Sequence, residues 1–211
     1  GTGKTEIIQA LPTGLDLEGA ANHKGSSFGR PLDEQPAQID FENRIAIDLL
    51  KIQDQHPQSM VVLEDESRNI GARHIPHYFS DRMAQSQFVV IDMDFEERLE
   101  RLWQEYVVER YLKTLAFFGA TGEQEFARYL RESLLRVQKR LGGQRTKELL
   151  ASMDNAIAIQ HRDNFASHRH WLALITQDYY DPMYSYQLKK KQELVVFRGS
   201  REAVVEWLER G

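Results

Sequence analysis

Two uninterrupted apolar runs constrain this chain most. Met60-Val61-Val62-Leu63 ends abruptly in Glu64-Asp65-Glu66, and Phe88-Val89-Val90-Ile91 ends in Asp92. A strand with one wet face alternates apolar and polar residues, whereas a strand covered on both faces does not. Runs of this kind therefore point to a buried parallel sheet. A helical pattern, Phe41 with Ile45, Leu49 and Ile52, precedes the first run. A shorter apolar helix, Glu6 to Leu11, stops at Pro12-Thr13-Gly14. Leu15–Glu18 reads as a brief strand, followed by a small, polar loop from Gly19 to Pro36 whose length suits a functional segment. Helices alternating with strands make an α/β fold.

Between the second apolar run and a third one, Leu194-Val195-Val196-Phe197, the signal is almost continuously helical. The expected helices are Phe95–Lys113, Glu123–Leu141, Gln144–Ile159 and Arg162–Gln177, with an aromatic turn over Tyr179–Tyr184 and a closing helix over Arg201–Glu209. The expected architecture is a P-loop NTPase-like, mostly parallel sheet with a helical bundle inserted before its last strand. Its parts are a core over 1–94, a helical subdomain over 95–178, and a return to the core over 179–211.

With 211 residues the chain can bury about two-thirds of its unfolded surface, so it needs no staple. It contains no cysteine, which excludes a thiol nucleophile or a thiolate metal centre among these residues and fits a reducing cytoplasm. No apolar run approaches the ~20 residues of a membrane span. The net charge is −5, so contact with a polyanion has to come from local basic surface.

Gly3-Lys4-Thr5 matches the tail of the phosphate loop G-x-x-x-x-G-K-[ST]. Glycines let the backbone curl around an oxyanion with its amides inward, so Gly1 and Gly3 are candidate phosphate binders. Lys4 would bridge phosphate oxygens and the Thr5 hydroxyl would ligate Mg2+. The first motif glycine would lie before residue 1, and we read the chain as a fragment of a longer protein. A chance tripeptide is the bland alternative. Ligands of open α/β sheets sit beyond the carboxyl ends of strands, so Asp65 or Glu64 is a candidate metal ligand, against a solvated acidic loop. Arg68 and Arg73 match a departing diphosphate or else pair with adjacent carboxylates. His23, beside Ser26 and Ser27, is a candidate for proton transfer or phosphate binding, or a plain loop histidine. Asp92 and Asp94 suit capping of the next helix.

Phe126, Leu130, Leu134, Val137 and Leu141 form one buried stripe. Arg128, Arg131, Arg136, Lys139 and Arg140 fall on the other side. From Arg128 to Lys147 there is a local excess of six positive charges. Such a face is either solvated or a landing surface for RNA phosphates, and Arg162, Arg169 and Lys189–Lys191 are candidates to extend it. His161, His168 and His170 lack the spacing of a zinc site. Trp103 and Trp171 read as core, while Tyr179, Tyr180 and Tyr184 either stack on bases or pack under the bundle.

Taken together, Gly3-Lys4-Thr5, Leu15–Gly19 running into Ala21–Gly29, Gln38-Ile39 with Phe41–Asn43, Leu63–Gly71 and Tyr180–Tyr184 resemble the P-loop domain of the tRNA 2-selenouridine synthase family over essentially the whole chain. Asn22-His23-x-Gly25-Ser26-Ser27-Phe28-Gly29 and Glu64–Gly71 are its most specific segments. The resemblance implies a transferase acting on the wobble uridine of tRNA. In that reaction, the sulfur of 2-thiouridine is geranylated from geranyl diphosphate, and selenium derived from selenophosphate then displaces the geranylated sulfur. It also implies a rhodanese-like domain with a reactive cysteine as partner within the full-length protein.

Residues and resemblance meet at diphosphate. The expectation is that Gly3, Lys4 and Thr5 hold it, Asp65 or Glu64 organises a metal, and Arg68 and Arg73 assist. The 19–30 loop would close over the reacting pair, and the walls of the loop would be basic rather than acidic. Two rivals are an ATP or GTP hydrolase or small-molecule kinase, and a tRNA-binding module with a vestigial P-loop.

Overall fold

The computed structural model describes residues 1–160 and 164–210. They divide into two compact units, one formed by Thr2–Met93 with Glu193–Gly211, the other by Gly1 with Asp94–Gln192.

The first unit begins with α1 (Lys4–Ala10), β1 (Gly14–Leu15) and α2 (Leu17–Ala21). Leu17 and Glu18, expected in a strand, are helical instead because Asp16 caps α2, its carboxylate accepting the Gly19 N–H at 2.7 Å. The long helix α3 (Gln38–Gln55) buries Phe41, Ile45 and Ile52. Then come β2 (Val62–Leu63), β3 (Asn69–Ile70), β4 (Arg73–His74), α4 (His77–Ala84) and β5 (Phe88–Ile91).

The second unit is helical: α5 (Phe95–Trp103), α6 (Arg110–Phe118), α7 (Gly122–Leu135), α8 (Gln138–Leu141), α9 (Gly143–Ile159), α10 (His168–Ile175) and α11 (Asp181–Lys190). Wider π-helical turns over Gln104–Glu109 and Thr176–Tyr180 join α5 to α6 and α10 to α11. The chain then returns to the first unit through β6 (Val195–Gly199) and α12 (Arg201–Arg210).

Parallel pairing is present, but in pieces. β1 pairs parallel with β2, β5 pairs parallel with β6, and β3–β4 is a small antiparallel hairpin. β5 and β6 are held at their ends by Arg198, whose guanidinium grips the Asp92 carboxylate at 2.7 Å. Of the two aspartates expected to cap α5, only Asp94 does so, accepting the Glu96 N–H at 2.8 Å.

In the first unit Leu15, Leu17, Ala21, Phe41, Ile45 and Ile70 are buried together. The second unit buries Tyr111, Phe126, Leu130, Leu149, Met153 and Trp171. Within it His168 is fully buried, its Nδ1 accepting the Trp171 indole N–H at 2.9 Å. That bond leaves the proton on Nε2, which faces Gln160 Oε1 at 2.8 Å. Burial pushes the His168 pKa down to about 4, so the ring stays neutral in the core, with both nitrogens engaged by Trp171 and Gln160. Two expectations need correction. The helix expected over Glu123–Leu141 breaks at Arg136-Val137, and the expected aromatic turn at 179–184 is helical, because the π-helical turn Thr176–Tyr180 runs straight into α11. His161 and Arg162 lie outside the described residues.

Candidate functional site

The phosphate-loop tail keeps an open backbone turn. Gly3 has φ 74° and ψ 26°, left-handed geometry that a side chain would make costly by ~1–2 kcal/mol, and it delivers the chain into α1. Lys4 is exposed at the start of that helix. The Thr5 hydroxyl donates to Glu18 Oε2 at 3.2 Å.

Glu18 ties three segments together. Its other oxygen, Oε1, accepts the Gly25 N–H at 2.7 Å, so one carboxylate links α1 to the loop that follows α2. That loop closes on itself: Lys24 N–H donates to Gly29 O at 3.0 Å and Gly29 N–H to Ser26 O at 2.9 Å. A Cβ on Gly29 would overlap the Lys24 carbonyl, and one on Gly25 would overlap the Glu66 carboxylate. Glycine is required at 29, where the clash is with backbone, whereas at 25 the Glu66 carboxylate would have to swing aside.

Glu64, at the carboxyl end of β2, is 1% exposed. Its Oε2 accepts the Leu17 N–H at 3.1 Å, and its Oε1 has no hydrogen-bond partner. Burial, reinforced by the charges of Asp16 and Glu18, pushes its pKa up to about 7 against the opposing backbone hydrogen bonds. Burial and then the neighbouring Glu18 push Glu66 up to about 8, while Lys4 pulls the other way. Lys4 and Thr5 therefore stand beside three carboxylates, one or two of which hold protons at neutral pH. The walls are acidic, not basic as expected.

Between the two acids proposed for the strand end, Glu64 is the one turned inward, and Asp65 is exposed. His23 packs against the β3–β4 turn, where a Cβ on Gly71 would meet its Cδ2 at 2.6 Å. Ser26 and Ser27 are half-buried in the closed loop. Arg68 is exposed, and Arg73 is half-buried with its Nε lacking a hydrogen-bond partner. Among the described residues no three His, Asp or Glu side chains converge closely enough to hold a metal by themselves.

Sequence reasoning missed Glu18, Glu66, Gln35 and Gln38. Gln35 Nε2 donates to Ala21 O at 2.7 Å and its Oε1 accepts the Ala72 N–H at 2.7 Å, stitching the loop to the hairpin. Gln38 does the same for His74, donating to its carbonyl at 2.7 Å and accepting its N–H at 2.9 Å. The one available signal was position: polar residues flanking the loop with no apolar face of their own.

The basic face of the second unit is more nearly neutral than the linear count suggests. Arg128 pairs with Glu125 and Glu132, Arg131 with Asp154 at 2.7 Å, and Arg136 with Glu132 at 3.6 Å. Arg140 reaches the Tyr179 hydroxyl at 3.4 Å, and Arg145 pairs with Glu148 and Asp178. Lys139 is exposed. The window 128–147 omitted Glu125, Asp154 and Asp178, acids that folding brings to it. Arg169 is likewise engaged, by Glu100 and over the Trp103 ring.

Among the described residues no helix is long and apolar enough to cross a membrane. No solved structure matches the chain. Among curated proteins it is 45% identical over its full length to a tRNA 2-selenouridine synthase of Shewanella frigidimarina, covering 58% of that protein. It is 44% identical over 99% of its length to the protein of the same name from Salmonella enteritidis, again covering 58%. The chain thus spans under two-thirds of the relatives it matches. A family model described as the tRNA 2-selenouridine synthase AAA domain matches residues 1–211, and the chain belongs to that family.

Proposed function

We propose that this chain is the diphosphate-handling part of a tRNA-modifying transferase that converts wobble 2-thiouridine to 2-selenouridine through S-geranyl-2-thiouridine. The observation that carries the reading is the open Gly3 turn with Lys4 and Thr5 set beside the carboxyl end of β2. In the first step the thiocarbonyl sulfur attacks C1 of geranyl diphosphate, the C1–O bond breaks and diphosphate leaves with the bonding pair. Lys4 and the Gly3 turn stabilise the charge that grows on those oxygens. Selenophosphate supplies selenium for the second exchange.

A diphosphate beside Glu18, Glu64 and Glu66 needs a further positive charge. Magnesium is usually held by one or two carboxylates together with substrate phosphates rather than by an all-protein cage. The Thr5 hydroxyl and the unpartnered Oε1 of Glu64 are the donors that fit it. When bound, the ion would neutralise the leaving group. The 22–29 loop, hung on Glu18, is the segment placed to exclude water.

The test uses the full-length enzyme. Lys4→Ala should abolish tRNA geranylation and weaken geranyl diphosphate binding by at least ~10-fold, the scale of one lost charge-assisted contact; wild-type turnover in the variant would sink the reading. Titration with ATP and GTP alongside separates it from a nucleotide hydrolase or kinase, which would bind those triphosphates more tightly than the prenyl donor.

A further inference from the structure

The helical unit carries an aromatic ladder that the transfer chemistry does not use. Tyr179, in the π-helical turn before α11, is 9% exposed, and Arg140 of α8 reaches its hydroxyl. Its ring meets Tyr180 edge-on, with centroids 4.9 Å apart and planes at 75°. Tyr180 in turn lies nearly parallel to Tyr184, one turn further along, with centroids 6.4 Å apart and planes at 22°. Tyr184 is 53% exposed. The three rings therefore lead from the packed interior out to solvent. Of the two roles open to these tyrosines, Tyr179 packs under the bundle and Tyr184 does not.

Three further observations say what this surface is suited to hold. First, α11 buries none of its 10 residues, whereas a helix of a packed domain ordinarily buries one stripe. Its start is held instead by Arg98, which grips the Asp181 carboxylate through two bonds of 2.6 and 2.8 Å. Second, residues 182–192 contain Lys189, Lys190 and Lys191 and no acid. The acids just before them are already engaged, Asp178 by Arg145 and Asp181 by Arg98. Among the described residues Lys139, Lys189 and Lys190 form no ion pair, unlike Arg128 and Arg131 of α7. Third, Lys190 Nζ lies 4.3 Å from the centre of the Tyr186 ring, a side chain that is 57% exposed. A polyanion can be met here without first breaking native salt bridges, and exposed tyrosines offer π faces that stack on a base of any sequence.

We propose that α11 and the turn before it are a seat for unpaired nucleotides of an RNA, in which a base continues the Tyr180–Tyr184 stack and neighbouring phosphates lie on Lys189 and Lys190. Charge complementarity selects a polyanion. The rings select one whose bases are out of a duplex, since paired bases keep their faces against each other. An acidic protein segment would satisfy the lysines and leave the ladder without a role. The contact falls on α11 rather than on α7, whose arginines are already paired with Glu125, Glu132 and Asp154. The choice of RNA rests on reading the chain as part of a tRNA-modifying enzyme, whose wobble uridine is an unpaired base.

The test is binding of the full-length protein, with no prenyl donor present, to two labelled probes: an RNA hairpin with an unpaired loop and a blunt RNA duplex of the same length. Tyr184→Ala should weaken hairpin binding by ~10-fold, the scale of one stacked base, and leave duplex binding unchanged. Tyr184→Phe and Tyr184→Trp should bind the hairpin as wild type does. Tyr184→Leu, which keeps apolar bulk without a π face, should behave like the alanine variant. Because α11 buries none of its residues, these variants should keep the wild-type circular dichroism and melting temperature. Lys189→Glu with Lys190→Glu should lower the salt slope for the hairpin by ~0.7 per lost contact. Hairpin binding that survives Tyr184→Ala, that Tyr184→Leu retains, or that falls equally for the duplex overturns the proposal. So does a polyglutamate peptide bound as tightly as the hairpin, which would make the surface a dock for an acidic protein. Lys4→Ala, the test of the diphosphate reading, should leave hairpin affinity unchanged, so the two readings fail separately.

Discussion

Glu66 and His168 should respond to pH in opposite senses, because burial disfavours charge of either sign. Glu64 and Glu66 have folded values near 7 and 8 against an ordinary 4.5, so between about 4.5 and 8 the native state holds more protons than the unfolded one. Their contribution to stability is complete below that window and is lost as pH rises through it. The urea midpoint of the first unit should fall from pH 5 to pH 8, and Glu66→Gln should flatten the decline; an unchanged slope would mean that Glu66 ionises normally. His168 is depressed to about 4 from 6.5, so it stabilises above 6.5 and loses that contribution as pH falls toward 4. Its ring resonances should titrate near 4. Replacement by Phe should remove the acid limb and cost ~1–3 kcal/mol, because the Trp171 N–H loses its acceptor.

At the level of elements, the loop over residues 22–29 depends on close approach rather than on side-chain packing. Gly29→Ala would force the Lys24 carbonyl away and open the turn that carries Gly25 to Glu18. We expect the variant to fold, with resonances outside residues 16–30 unchanged, and, on the proposed transferase reading, the full-length variant to lose geranylation by ~100-fold, the scale of a misplaced positioning loop. Wild-type activity would show that the loop plays no part in the reaction. The helices were legible in the sequence because their periodicity is local; the two apolar runs do pair in parallel, but they are not the buried strands expected, since Met60 and Val61 are 55% and 36% exposed and Phe88–Ile91 are only half-buried. Phe41, Ile45 and Ile52 are buried, as their spacing predicts. What was not legible depended on partners far away in the chain. Glu18 reads as one more acid until Thr5 and Gly25 close on it, and Asp92 reads as a cap until Arg198 arrives.

For the whole molecule, charge sets the terms on which the proposed contact with RNA could form. A net charge of −5 and arginines already engaged by Glu125, Glu132 and Asp154 leave little uncompensated surface. If the α7–α8 face binds tRNA, those pairs must be exchanged for phosphates, and log affinity should fall with log salt by ~0.7–0.9 per contact. Reversing Arg131 and Arg136 to Glu should lower that slope by about two such contacts while the uncharged Phe126–Leu141 stripe keeps the helices folded. A salt response that is flat, or unmoved by the reversal, would place tRNA elsewhere.

The Asp92–Arg198 clasp joins residues 106 positions apart, with the entire helical unit strung between them. A ribosome adding ~5–20 residues per second needs roughly 5–20 s to deliver the second partner after the first. The helical segment, rich in short-range contacts, can settle during that interval, while the early strands wait for β6. Pauses introduced into the message over this stretch should therefore leave the nascent core in the care of chaperones for longer and reduce the yield of active protein.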